Sequence, residues 1–256
     1  MILFDQIIFG PIKSRRLGLS LGVNLLPIDS KICSFNCIYC ECGFNTTMKE
    51  FPMPTREQVK EILSVKLQQM AMANEIPDVI TFAGNGEPTL HPEFEGIIDD
   101  TIKLRDSYCP TARVSVLSNS TQIHKPQVFS ALKKVDNNIL KFDSAIDSTM
   151  KLIDQPSGKQ ITVTWLIDNL KNFEGKLIIQ TMFLRGDYQG EKIDNTTDIE
   201  VDAWLDALEE IQPEQIMIYS IDRDTPVKNL EKISEKELNL IASKAKKKGF
   251  NVSVAG

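Results

Sequence analysis

Asp78-Val79-Ile80-Thr81-Phe82-Ala83-Gly84-Asn85-Gly86-Glu87-Pro88 is the stretch from which the fold can be read. Residues 78–83 are apolar almost without a break, the pattern of a strand buried on both faces of a parallel sheet rather than of one with a wet side. The turn that follows places glycines on both sides of Asn85, so its backbone is free to take positive φ and to approach a ligand closely. Glu87 then offers a carboxylate that can accept hydrogen bonds from an ammonium group, and Pro88 stiffens the turn. On the upstream side, Thr55-Arg56-Glu57-Gln58 has the pattern of a capping box, followed by Val59, Ile62, Leu63, Leu67, Met70 and Ala71 at helical spacing. On the downstream side, Pro92 opens a second helix with Phe94, Ile97, Ile98 and Ile102 on one face.

The same alternation extends in both directions. Strands are expected at 20–26, 113–117, 139–143, 177–184 and 216–221, with a last short one at 252–254. Between them lie a helix from Pro126, a loop through Pro156 and Gly158, and a helix near 163–173. Helices capped by Thr197-x-x-Glu200 and Ser234-x-x-Glu237 follow, the last one stopped by Gly249. Strands alternating with amphipathic helices mean βαβ units and a parallel sheet. Six strands with right-handed crossovers suit a partial (β/α)6 TIM-like barrel spanning 1–256 as one domain, with an open doubly wound sheet as the alternative.

Composition is that of a globular chain, 42% hydrophobic and 25% charged. No apolar run approaches membrane-spanning length, and the first residues lack the basic flank of a secretory signal, so a cytoplasmic protein without a membrane partner is expected. A net charge of −6 argues against a broad nucleic-acid face, although Lys13-Ser14-Arg15-Arg16 forms a local basic patch.

One unit before the central strand lies Cys33-Ser34-Phe35-Asn36-Cys37-Ile38-Tyr39-Cys40. Four of the five cysteines fall between positions 33 and 42, which favours metal binding over a disulfide framework. Three thiolates are too few for a closed structural zinc site and one short of filling a [4Fe–4S] cluster. A cubane held by three cysteines keeps one iron open to a ligand. Cys42 extends the motif to C-x3-C-x2-C-x-C and is a candidate fourth ligand, which would give a closed cluster or a four-cysteine zinc knob. The single intervening residue works against Cys40 and Cys42 sharing one cluster.

Ligands of parallel α/β folds bind at the carboxyl ends of the strands. Those ends deliver the cysteine loop, Gly84, Asn85, Gly86 and Glu87, then Ser118 and Asn119, then Asp143 and Ser144, then Arg185, and finally Asp222, Arg223 and Asp224. Arg185, Arg16 and Arg15 are candidates for an anionic substrate, Arg15 and Arg16 from the opposite end of the first strand. His91 and His124 are the only histidines, and no Ser-His-Asp arrangement is suggested.

Cys33-x3-Cys37-x2-Cys40 with Tyr39 before the last cysteine resembles the signature of the radical S-adenosylmethionine (SAM) enzymes, and Gly84-Asn85-Gly86-Glu87-Pro88 resembles their "GGE" segment. Residues 10–18 and 22–24, with Gly86-Glu87-Pro88-Thr89-Leu90, are similar to a subgroup of wyosine-type tRNA-modifying synthases and to uncharacterised bacterial relatives. The resemblance implies that Cys33, Cys37 and Cys40 hold three irons of a [4Fe–4S] cluster whose fourth iron is chelated by SAM. It implies that Tyr39 lies against the adenine and that Glu87, with the backbone of 84–86, holds the methionine ammonium. Ser118, Asn119 and Asp143 would meet the ribose or the methionine carboxylate. One electron, from a donor such as flavodoxin or ferredoxin, would cleave SAM to a 5′-deoxyadenosyl radical that abstracts a substrate hydrogen. The substrate would be tRNA, a small molecule or a partner protein, the last as for a glycyl-radical-enzyme activase. Two departures stand out: Asn85 replaces the middle glycine, and no cysteine precedes Cys33, where wyosine synthases carry a second cluster's ligands. A non-catalytic zinc or electron-transfer module is the rival reading.

Overall fold

The computed structural model describes residues 2–14, 16–46 and 52–255. In chain order its elements are β1 (Ile8–Ser14), β2 (Gly18–Val23), α1 (Arg56–Met72), β3 (Val79–Phe82), α2 (Phe94–Tyr108) and β4 (Arg113–Ser118). Next come α3 (Pro126–Lys134), β5 (Asn137–Lys141), α4 (Asp147–Asp154), α5 (Val163–Lys171) and β6 (Ile178–Met182). The chain continues through β7 (Leu184–Tyr188), β8 (Glu191–Asp194), α6 (Asp198–Ile211), β9 (Gln215–Tyr219), β10 (Leu230–Lys232), α7 (Glu235–Lys247) and β11 (Val252–Ala255).

The main sheet runs β1-β2-β3-β4-β5-β6-β9-β11, parallel throughout except for β1, which pairs antiparallel with β2 at the edge. Every crossover therefore steps in one direction. A doubly wound sheet reverses its strand order at a switch point, and this sheet has none, so it curls into a half-barrel. Alternation along the strands separates two faces. Leu140, Ile179, Ile216 and Ile218 pack outward into the core beneath the helices, with Trp204, Phe142 and Phe173. Ile139, Ile178 and Met217 face the concave side, where with Leu17 and Leu117 they form a separate apolar floor.

Both capping boxes form: Thr55 with Gln58 at α1, and Ser234 with Glu237 at α7. The expected helices and all the parallel strands are present. α4 occupies part of what the sequence suggested was loop; it is eight residues long and ends at Gln155 with φ 46°. β7, β8 and β10 form an unforeseen antiparallel sheet, β7 and β8 joined through Gln189 and Gly190, both at positive φ.

Candidate active site

The loop after β2 is held on two sides. The Ile32 amide donates to Asn85 O at 3.0 Å and the Glu87 amide to Ile32 O at 3.1 Å, which locks the loop to the turn after β3. The amides of Asn36 and Ile38 donate to Asp154 O and Ile153 O at the end of α4. Within the loop, buried Lys31 donates its Nζ to Gly43 O at 2.8 Å. Cys33, Cys37, Cys40 and Cys42 are all free thiols lining one cavity of about 320 Å³ at the carboxyl ends of the strands. Cys109 is also free and lies buried just past α2, outside that cavity.

The thiols are electrostatically unequal. Burial, and after it the nearby Glu87, pushes Cys33 up to about 12. Burial and Asp154, to which Cys37 Sγ donates at 3.4 Å, hold Cys37 well above the usual thiol range. Cys40 moves the other way: a hydrogen bond from the Cys42 thiol, opposed by burial and aided by Lys31, brings it down to about 5. Cys42 is correspondingly raised, and its Sγ also approaches Gly84 O at 3.4 Å.

In the turn after β3, Gly86 sits at φ 131°, and a Cβ placed there would lie 1.8 Å from Ile32 O, so only glycine permits the bridge to the cysteine loop. Asn85 itself takes no positive φ; the left-handed conformation in this turn falls on Gly86. Its fully buried side chain points away from the cavity, bonding Phe4 N, Phe4 O and Pro27 O at 2.8–2.9 Å. Glu87 does face the cavity. Its carboxylate accepts from the Thr89 amide and hydroxyl and, at 2.6 Å, from the Asn119 amide, which fixes its orientation, while burial raises its pKa against those bonds.

Ser118 and Asn119, at the end of β4, line the cavity as expected, and Asn119 Nδ2 reaches Cys33 Sγ at 3.3 Å and Ser34 Oγ at 2.9 Å. Tyr39 lines it too. Asp143 does not: its carboxylate is taken up by the Met182 amide, the Tyr39 hydroxyl and Lys141, so it sits behind Tyr39 and orients the pair in front of it. Lys141 Nζ lies 4.8 Å from the Tyr39 ring centroid. Burial is the largest single influence and works to lower this ammonium, but Asp143 together with Tyr219, Cys37 and Asp154 outweighs it and keeps Lys141 well above the ordinary lysine range.

Arg185 is the clearest misplacement. β6 stops at Met182, and Arg185 falls in β7 of the small sheet, bonded to Thr196, Glu237 and Asp194 away from the cavity. Arg16 starts from the opposite end of the barrel yet reaches the cavity through the lumen. Arg15 lies outside the described residues. His91 is satisfied by Pro54 O and the Glu93 amide. Residues missed from sequence include Lys31, Lys141, Gln180, Tyr219 and Asp154. For Lys141, Gln180 and Tyr219 the available signal was inward parity near the end of a parallel strand.

The donor set fits an iron–sulfur cluster. Among the described residues, no group of three or more His, Cys, Asp or Glu side chains converges as on a single ion. A cubane asks for something else, one soft thiolate per iron on separate corners, and the free thiols of Cys33, Cys37 and Cys40, with Cys42 beside them on the same cavity, offer that. The oriented Glu87 carboxylate beside the backbone of Gly84 and Gly86 suits an ammonium-bearing ligand next to it.

Comparison with known proteins agrees. The family model of the radical SAM superfamily matches residues 28–198. A UPF0026 protein of Helicobacter pylori strain J99 is 32% identical over 242 residues, 91% of this chain and 71% of the relative. A Brachyspira hyodysenteriae protein named GTPase Obg is 31% identical over 94% of this chain, which spans only 33% of that relative's length. Among solved structures, a radical SAM methyltransferase from Sphaerobacter thermophilus superposes with TM-score 0.68 at 12% identity, covering 92% of this chain and 65% of its own. TYW1 with a lysine–pyruvate adduct bound gives 0.62 at 17%, covering 89% and 73%. Streptococcus suis SuiB bound to S-adenosylmethionine gives 0.64 at 11%, covering 91% and 50%. With the family model spanning most of the chain and the cysteine loop placed at the mouth of a parallel half-barrel, this protein belongs to the radical SAM superfamily and is an enzyme.

Proposed function

We propose that Cys33, Cys37 and Cys40 hold a [4Fe–4S] cluster and that SAM occupies the adjoining part of the cavity, its ammonium on Glu87 and the backbone of residues 84–86. When bound, the pair supplies a one-electron cleavage of SAM whose product, a 5′-deoxyadenosyl radical, abstracts hydrogen from a substrate. An external donor of the flavodoxin or ferredoxin type provides the electron. The chain's own contribution is placement and exclusion: Asn119 orients both Glu87 and the Cys33 sulfur, Lys31 braces the loop, and Tyr39, backed by Asp143 and Lys141, walls the site. The observation that carries the reading is the cysteine loop, with Cys33, Cys37, Cys40 and Cys42, lining one cavity with an oriented buried carboxylate at the strands' carboxyl ends. Anaerobic reconstitution should give about four irons with matching sulfide per chain, and dithionite with SAM should yield 5′-deoxyadenosine. Zinc alone without SAM cleavage would replace this reading with that of a metal-binding module.

A further inference from the structure

Arg16 occupies an unusual place. It lies just after β1, at the end of the barrel opposite the cysteine loop, where it borders a second cavity of about 560 Å³ with Asp78, Arg113 and Gln215. Its side chain nevertheless also lines the upper cavity, so it runs along the lumen between the two. The guanidinium carbon stacks 4.5 Å from the Tyr219 ring centroid, and Nη1 is buried without a hydrogen-bond partner. The other cations lining the cavity all have partners: Lys141 is paired with Asp143, Arg223 with Glu41, and Lys31 donates to Gly43 O. Among the described residues Arg16 forms no ion pair. Arg16 as a whole is half-buried, but its Nη1 is enclosed, and stacking on an aromatic face does not satisfy that donor, which is left for a ligand to complete.

We propose that Arg16 is the anion-recognising group of a substrate subsite in the barrel lumen, and that the substrate is a small molecule carrying a terminal carboxylate or phosphate. This deepens the radical SAM reading and rests on it for the word substrate. Gln180, Lys141 and Tyr219 line the same stretch; Lys141 has three donors, two of them taken by Tyr39 and Asp143. A planar guanidinium suits a bidentate oxyanion. The enclosed Nη1 between the two cavities favours the free end of a small molecule over an internal phosphodiester, which is flanked by chain on both sides.

The test uses the full chain, reconstituted anaerobically, with thermal unfolding followed in succinate, inorganic phosphate and chloride at constant ionic strength. Succinate or phosphate should stabilise the wild type, with affinity about ten- to a hundredfold weaker in Arg16→Gln. Arg16→Lys, which keeps the charge but not the fork, should also bind succinate more weakly. It serves alone if the glutamine variant does not fold. No stabilisation of the wild type, or equal stabilisation of wild type and variants, overturns the proposal. So does a loss of SAM binding in Arg16→Gln with the anions indifferent, which would assign the residue to SAM's own carboxylate. Formation of 5′-deoxyadenosine is measured on the same preparations: its absence from the wild type removes the radical reading and leaves the anion result standing.

Discussion

Cys40 and Cys42 are two residues apart and electrostatically opposed: the hydrogen bond from the Cys42 thiol lowers Cys40 and raises Cys42. In the metal-free chain, iodoacetamide should therefore alkylate Cys40 first, at a rate nearly flat above about pH 5, with buried Cys37 and Cys33 far slower. Cys42→Ala removes the donor, and labelling of Cys40 should then become steeply pH-dependent through the neutral range. Peptide mass spectrometry reads both, and preferential labelling of Cys42 would contradict the assignment. Asn138 offers a second test: both polar atoms of its side chain are buried without partners. Asn138→Val should stabilise by about 1–3 kcal/mol, read from denaturant unfolding, and destabilisation would mean the amide has a partner in solution. At this scale the motif residues were legible because their chemistry is local: three thiols and Gly-Asn-Gly-Glu announce themselves. Asp143 and Asn85 were misread because a side chain's direction depends on neighbours distant in sequence, here Met182 and Tyr39 for Asp143 and Phe4 for Asn85.

Among the elements, α7 carries a pH signature. Glu237 accepts from Ser234 and from Arg185, which holds its carboxyl at about 2, below the usual 4.5 of a glutamate. Because the folded pKa is depressed, the contribution is complete above about pH 4.5 and disappears as pH falls through about 2. Glu237→Gln should accordingly be less stable than wild type at neutral pH, and the gap should close across that window in thermal melts; a constant gap would trace the effect to shape rather than charge. The turn after β3 makes a sharper demand. Gly86→Ala puts a methyl into Ile32 O at an unfavourable φ and should cost about 3 kcal/mol or more, measured by chemical denaturation. A near-neutral effect would mean that the turn does not bridge to the cysteine loop. Capped helices and apolar strands were visible in the sequence because caps and periodicity are short-range signals. α4 was hidden by its length and by the Pro156 that follows it, and the β7–β8 hairpin by Gln189, which takes the positive φ that asparagine usually announces. That hairpin is also why Arg185 left the rim.

For the whole molecule, strand order settles what composition left open. An order that never reverses makes a curled sheet with one mouth, and the cysteine loop, the Gly84–Glu87 turn and the tip of β4 meet there as consecutive units of the same repeat. The sequence carried the alternation and hence the barrel. It did not carry the path of Arg16 through the lumen, which follows from the register of β2 and from its stacking on Tyr219 of β9. The account stands on a cluster that the protein leaves one ligand short. The most direct measurement is the electron paramagnetic resonance spectrum of the dithionite-reduced, reconstituted protein with and without SAM, recorded for wild type and for Cys42→Ala. SAM should perturb the signal equally in both proteins, because it occupies the position that side chains leave vacant. A signal indifferent to SAM in the wild type, together with loss of iron in Cys42→Ala, would show the cluster closed by a fourth cysteine and would contradict the account.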